Sequence, residues 1–176
     1  MTDHHKEERA DVQAPDIIQK LVHDPDIFWR FAVAVYGKPL VKEACLEAQD
    51  RFGADVNLLL LYLWCDGEAL ALSAETTAAL HGTSNLWQTE ILGPLREIRR
   101  GMKDSGGYRE FLAQELEIEK RAQKALIACL SGAPGATSRE AFTSGFINHA
   151  DALGLPDEIR LPLRDAAQQV ARSGVS

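Results

Sequence analysis

Four cations stand at helical spacing in an acidic chain: Arg96, Arg99, Arg100 and Lys103. The 176 residues hold 19 Lys and Arg against 26 Asp and Glu, a net charge of −7. A local basic run therefore stands out. Guanidinium forks bind carboxylate and phosphate oxygens through paired, charge-assisted hydrogen bonds. The run reads as an anion site for phosphate, carboxylate or an acidic partner. The plain alternative is a solvated stripe laced with salt bridges. Helical projection puts the four on one face, opposite Leu95, Ile98 and Met102.

Two carboxylates invite the same question. Glu115 and Glu119 lie one helical turn apart, on the face marked by Tyr108, Leu112, Ala122, Leu126 and Leu130. A carboxylate on an apolar face needs a partner, because an unpaired buried charge is very costly. The short connection after Lys103 folds this helix back on the one carrying the arginines. An interhelical ion-pair network with Arg96, Arg99 or Arg100 is expected. Metal binding or acid–base work by the two carboxylates is the sharper alternative.

Asn57 sits inside the run Asp55–Trp64, which is apolar on every face of a helix. Such a helix belongs at the centre of a bundle. In projection Asn57 lies near Leu60, Leu61 and Trp64, so its amide should be buried and hydrogen-bonded, as a lock between elements or as a group orienting a ligand. His149 falls on the stripe Phe142, Phe146, Leu153 and reads as a hydrogen-bonded core histidine. A metal site combining it with Glu115 and Glu119 would need the tail helix on that same face. Trp29, Tyr36, Tyr62, Trp64 and Trp87 read as core aromatics or as the walls of a pocket for a flat ligand.

Familiar catalytic signatures do not occur in the sequence. There is no phosphate-binding glycine loop, no dinucleotide fingerprint, no nucleophile elbow and no His-Glu-x-x-His or Glu-x-x-His metal motif. No cofactor and no metal is expected. The three cysteines, Cys45, Cys65 and Cys129, are scattered among apolar neighbours, which suits inert thiols in a reducing compartment. The acidic balance argues against nucleic acid and against an anionic membrane surface as partners. The ten-residue run Asp55–Trp64 is too short to span a bilayer. The start of the chain has no apolar signal core, so the cytoplasm is the expected location.

The elements that must position these groups all read as helices. Residues 1–14 are expected to be a disordered tail, 15–131 a helical core domain, 132–137 a linker, and 138–176 a C-terminal helical pair packed on the core. Short helices are expected over Asp16–His23, from Asp26 to Gly37, and from Pro39 to Gly53. Asp55 is the expected N-cap of the central helix, about 55–65, and Asp66-Gly67 the following turn. Ser73 starts a short helix that His81-Gly82 should stop. Ser84 to Lys103 forms a long segment with a break or kink at Gly93-Pro94. Tyr108 to Leu130 is one long helix. Ser138 to Leu153 and Pro156 to Arg172 form the tail, the last helix loosely docked through Ile159, Leu163 and Val170. The fold class is an all-α, irregular multi-helix bundle around a central buried helix.

Four motifs together, Phe28-Trp29-x-Phe31-Ala32, Ala44-Cys45-Leu46-x-x-Gln49-Asp50, Asp55-Val-Asn-Leu-Leu-Leu and Pro94-Leu-Arg-x-x-Arg-Arg100, are similar to those of a bacterial family of small helical proteins known only as a domain of unknown function. The resemblance covers roughly residues 27–120. It implies a bacterial cytosolic protein and supplies no activity, cofactor or catalytic residue.

Two functions follow as expectations. The first is a non-catalytic interaction or regulatory protein that binds through an exposed charged helix face, with an acidic protein as partner. The second is a small-molecule binder or enzyme whose pocket joins Trp and Tyr residues, Trp64 included, with Asn57 and the arginines, and takes a small anionic ligand. The second requires a concave cavity of at least ~300 Å³ with convergent polar groups. The first requires only a packed core and a surface patch.

Overall fold

The structure, a computed structural model, describes residues 14–103, 106–131 and 144–174. Of the tail expected over residues 1–14, residues 1–13 lie outside the described residues, as do the linker over 132–137 and the start of the helix expected from Ser138; Ala14 already belongs to the first helix. Among those described, nine α-helices follow one another: α1 (Ala14–His23), α2 (Asp26–Tyr36), α3 (Val41–Phe52), α4 (Val56–Gly67), α5 (Ala74–Trp87), α6 (Gly93–Gly101), α7 (Tyr108–Leu130), α8 (Gly145–Leu153) and α9 (Asp157–Arg172). The all-α bundle expected from periodicity is the fold.

Helix α4 is the axis. Every residue from Asn57 to Cys65 is buried, and α2, α3, α7, α8 and α9 pack around it. Its start is fixed locally: the Asp55 carboxylate accepts the Asn57 amide at 2.9 Å, satisfying one of the donors a helix leaves free at its first turn. Its end runs past Asp66-Gly67, which belongs to the helix rather than to a turn. Chain reversal follows at Ala69, whose φ of 54° places a non-glycine residue in the left-handed region.

Helices α8 and α9 are part of the same core. Phe146, Leu155, Ile159, Leu163 and Val170 join one continuous cluster with Phe28, Val41, Leu59 and Leu63. Helix α9 packs on α3, α2 and α4. Loose docking is therefore corrected: small Ala166 and Ala167 widen its narrow stripe into a buried face. Helix α8 is held at both ends by charge. The Asp66 carboxylate accepts the amides of Gly145 at 2.8 Å and Phe146 at 3.2 Å and the Ser144 hydroxyl. At the other end the Arg160 guanidinium donates to the carbonyls of Ala150 and Leu155. Both signs complement the helix dipole.

His81-Gly82 does not stop α5. The helix continues to Trp87, passes through one π-helical turn over Gln88–Leu92 and enters α6. The expected kink at Gly93-Pro94 takes this form. Pro94 has no N–H for the ladder, and the Gly93 amide reaches back to the Gln88 carbonyl in the wider π pattern. Glycine is required at 93, because a Cβ there would lie 2.6 Å from that carbonyl oxygen.

Candidate functional site

Helix α7 carries polar groups on its buried side at successive turns: Glu115, Glu119 and Gln123. Glu115 is only 3% exposed and Gln123 is also buried. Leu112 and Leu116 turn outward instead. Opposite this stripe stands α6. Arg99 reaches Glu115, Nη1 to Oε2 3.2 Å, and Arg96 approaches Glu119, Nη2 to Oε1 3.9 Å. The interhelical ion pairs expected from the spacing are present. The Arg96 Nη1 also donates to the Gln88 amide oxygen at 2.6 Å, so the π-turn itself supplies a partner. Two groups beside this network, the Glu115 carboxylate oxygens and the Gln88 Nε2, are buried without hydrogen-bond partners.

The four cations do not share one outward face. Arg96 is 12% exposed and Arg99 32%, both turned toward α7. Arg100 is 58% exposed and pairs with Glu97 on its own helix, and Lys103 is exposed beside it. Helix α6 buries none of its residues completely, and Ile98 faces solvent. The projection is corrected on this point: Arg96 and Arg99 turn inward to partners on α7, while of the apolar stripe Ile98 is exposed and Leu95 and Met102 are half-buried.

Asn57 lies directly below. It is 9% exposed, and its Oδ1 accepts from the Gln123 Nε2 at 2.9 Å. The buried lock therefore joins α4 to α7. Around these groups opens a pocket of about 510 Å³, lined among others by Trp29, Tyr36, Gln49, Asn57, Arg96, Arg99, Leu116, Glu119 and Gln123. Its mouth carries large exposed apolar side chains: Val33 at 52%, with Leu46 and Leu116 at 44% each. The Lys120 ammonium lies over the Trp29 ring, 4.7 Å from its centroid.

The electrostatics of the pocket follow from burial. Desolvation raises the Glu119 carboxyl above its ordinary value, and neighbouring Glu115 adds to this while Arg96 and Arg99 oppose it. Burial, with smaller help from Cys45 and Glu119, likewise raises Tyr36. The Cys45 thiol in the wall is pushed up to about 12 by desolvation. At neutral pH it stands there as a neutral thiol and not as a nucleophile.

Trp64 is not part of this pocket. It lines a separate one of about 460 Å³ between α4, α8 and α9, with Asp66, Phe146 and Arg164. Tyr62 lines a third with His81 and His149. There the Tyr62 hydroxyl lies 3.2 Å from the His81 Nε2, and the His149 ring is wedged between the two, with centroids 5.2 Å from Tyr62 and 4.8 Å from His81. Both ring nitrogens of His149 are buried without a hydrogen-bond partner. The expected hydrogen-bonded core histidine is corrected to one held by ring contacts. His149 thus faces α4 and α5, while Glu115 and Glu119 face α6. Among the described residues no group of three or more His, Cys, Asp or Glu side chains is placed to hold a metal ion.

Sequence reasoning missed Gln123, Gln88, Val33, Leu46 and Leu116 as parts of the site. The stripe Glu115, Glu119, Gln123 at four-residue spacing was the available signal for the first. Val33, Leu46 and Leu116 required knowing that α2, α3 and α7 border one cavity, and Gln88 that the π-turn brings it to Arg96.

Fold and site together define an all-helical protein with one amphipathic pocket floored by an amide pair and two arginines. The chain belongs to a family described as a protein of unknown function (DUF2390), whose model matches residues 27–126. No curated protein and no solved structure matches the chain. Every residue that lines the 510 Å³ pocket falls within the matched stretch. The other two large pockets draw residues from α8 or α9, outside it.

Proposed function

We propose that this protein binds a small molecule in the pocket between α2, α3, α4, α6 and α7. One observation carries the reading: a cavity of about 510 Å³ in which the Asn57, Gln123, Arg96, Arg99 and Glu119 side chains converge beneath an apolar mouth. Ligand sites are typically about 300–1,000 Å³, mostly apolar, with a few placed polar groups. A thermal-shift screen of small organic molecules tests the reading. Ligands that bind only the folded state raise the melting temperature. The hits should lose their effect in Val33→Trp, which fills the mouth from an exposed position. If no hit depends on that substitution, the reading fails.

A second reading, an adaptor for an acidic protein partner, is favoured by one feature. Arg100 and Lys103 stay exposed beside Tyr108 and Arg99 around a shallow depression. Reversing Arg100 and Lys103 to glutamate should then abolish capture of an acidic partner while leaving folding intact, and capture should weaken with salt. Among the described residues no helix is long and apolar enough to cross a membrane. The free thiols of Cys45, Cys65 and Cys129 suit a reducing bacterial cytoplasm, the setting we propose for either reading.

A further inference from the structure

Given that this pocket binds ligand, as proposed above, we infer that the ligand is an amphipathic organic anion, its acidic group on the Arg96 and Arg99 guanidiniums and its apolar body against Trp29, Tyr36 and Leu116. The charged residues that line the pocket are Arg96, Arg99 and Glu119. Arg99 is already paired with buried Glu115, and the partner left for Arg96 is the Glu119 carboxylate. That carboxylate is a weak partner. Its separation from Arg96 is 3.9 Å, near the limit for an ion pair, and burial already disfavours its charged form. The acidic group of a ligand can therefore take the place of Glu119 at Arg96 with closer hydrogen bonds than this pair has.

The donors are also in surplus. A guanidinium offers five N–H groups in a fixed fork. Arg96 commits one short bond to Gln88, and Arg99 faces Glu115 through Nη1. Both side chains still border the cavity, so N–H groups remain for a carboxylate, sulfonate or phosphate. A neutral ligand would cover these donors without matching them, at a cost of unpaired polar groups. The body of the ligand is set by the mouth, where Val33, Leu46 and Leu116 expose apolar surface to solvent. An ion as small as free phosphate would leave that surface in water. Burying it provides the hydrophobic gain that accompanies the charge pairing.

A matched pair of fluorescent probes tests the assignment. Anilinonaphthalene sulfonate is an amphipathic anion, and phenylnaphthylamine is the same aromatic body without the acid. Titrated into the wild-type protein, the sulfonate should bind about tenfold or more tightly than the amine. The double variant Arg99→Gln/Glu115→Gln removes the buried pair together, so that no lone charge is left inside, and its melting curve verifies folding. In it the ratio of the two affinities should fall several-fold, with Arg96 carrying what remains. Val33→Trp should weaken both probes. Equal affinities in the wild type, with both probes blocked by Val33→Trp, would overturn the anion assignment and leave the pocket reading standing. A preference undiminished in the double variant places the charge recognition away from Arg99 and also overturns the assignment. Failure of both probes to bind, or binding untouched by Val33→Trp, would remove the pocket reading itself.

Discussion

The Asn57 Oδ1 accepts a hydrogen bond from the Gln123 Nε2 at 2.9 Å, across 66 residues of sequence. This amide pair ties the central helix to the one that carries both site carboxylates. It also forms part of the pocket floor. Asn57→Leu leaves the Gln123 donor without its partner in a buried place. The expected loss is about 1–3 kcal/mol, measured by chemical denaturation. Unchanged stability would mean that water in the pocket already serves Gln123.

Arg99 and Arg100 are neighbours with opposite fates. Arg99 faces buried Glu115. Arg100 pairs with Glu97 in the open. Arg99→Ala should cost about 2 kcal/mol, less than the ~3–5 for a wholly buried pair, because the arginine is partly solvated. Arg100→Ala should stay within about 0.5 kcal/mol of the parent. Equal losses for the two substitutions would show that Glu115 does not depend on Arg99.

The pH dependence of stability carries a signature of His149. Burial, with a smaller push from nearby His81, lowers its pKa to about 4. The unfolded chain takes up the proton near pH 6.5, so it binds more protons than the folded chain between about pH 6.5 and 4. The stabilisation is fully present above that window and is lost as the pH falls through it. Asp66, Glu68 and Glu119 have raised values and bind protons more readily when folded, so they act in the opposite sense at the acidic end. Comparison with His149→Phe isolates the histidine from these carboxylates, while His81 and Tyr62 stay in place. The variant should lose less stability between pH 6.5 and 4 than the parent. Parallel curves would sink this assignment.

Asp66 reaches from the end of α4 to start α8, accepting two amides and the Ser144 hydroxyl. Asp66→Ala should cost about 1–2 kcal/mol, the upper part of the range for lost helix caps. Native-state hydrogen exchange should show the amides of Gly145 and Phe146 losing protection ahead of those in α4. If their protection is unaltered, packing alone holds α8.

The parts of this architecture that could be read from residues are those with a local physical cause. Apolar side chains on every face of Leu58–Trp64 force burial, and Asp55 can cap only the helix that follows it. Glu115 and Glu119 on an apolar face demand cations, and the short connection leaves the nearest ones on α6. The errors came where tertiary context overrides local preference. His81-Gly82 looks like a stop, yet glycine in a helix costs only about 1 kcal/mol, and α5 continues against α7. Leu95, Ile98 and Met102 look like a docking stripe, yet Ile98 is exposed and Arg96 and Arg99 turn inward to α7. Trp64 lies about two turns further along α4 than Asn57 and opens onto a different pocket, which an all-apolar helix does not reveal, because its pattern does not say which neighbour covers each turn.

The π-turn over Gln88–Leu92 sets the angular phase of everything after it. Each residue of an α-helix advances the side chains by about 100°. Deleting or inserting one residue in that turn would rotate Arg96 and Arg99 off the α7 stripe together. Both guanidiniums would swing toward solvent, and Ile98 would take a new azimuth. The two arginines are therefore clocked as a unit by a short irregularity upstream of both. A length change of one residue at this point would unmake the wall of paired arginines while every one of its side chains was retained.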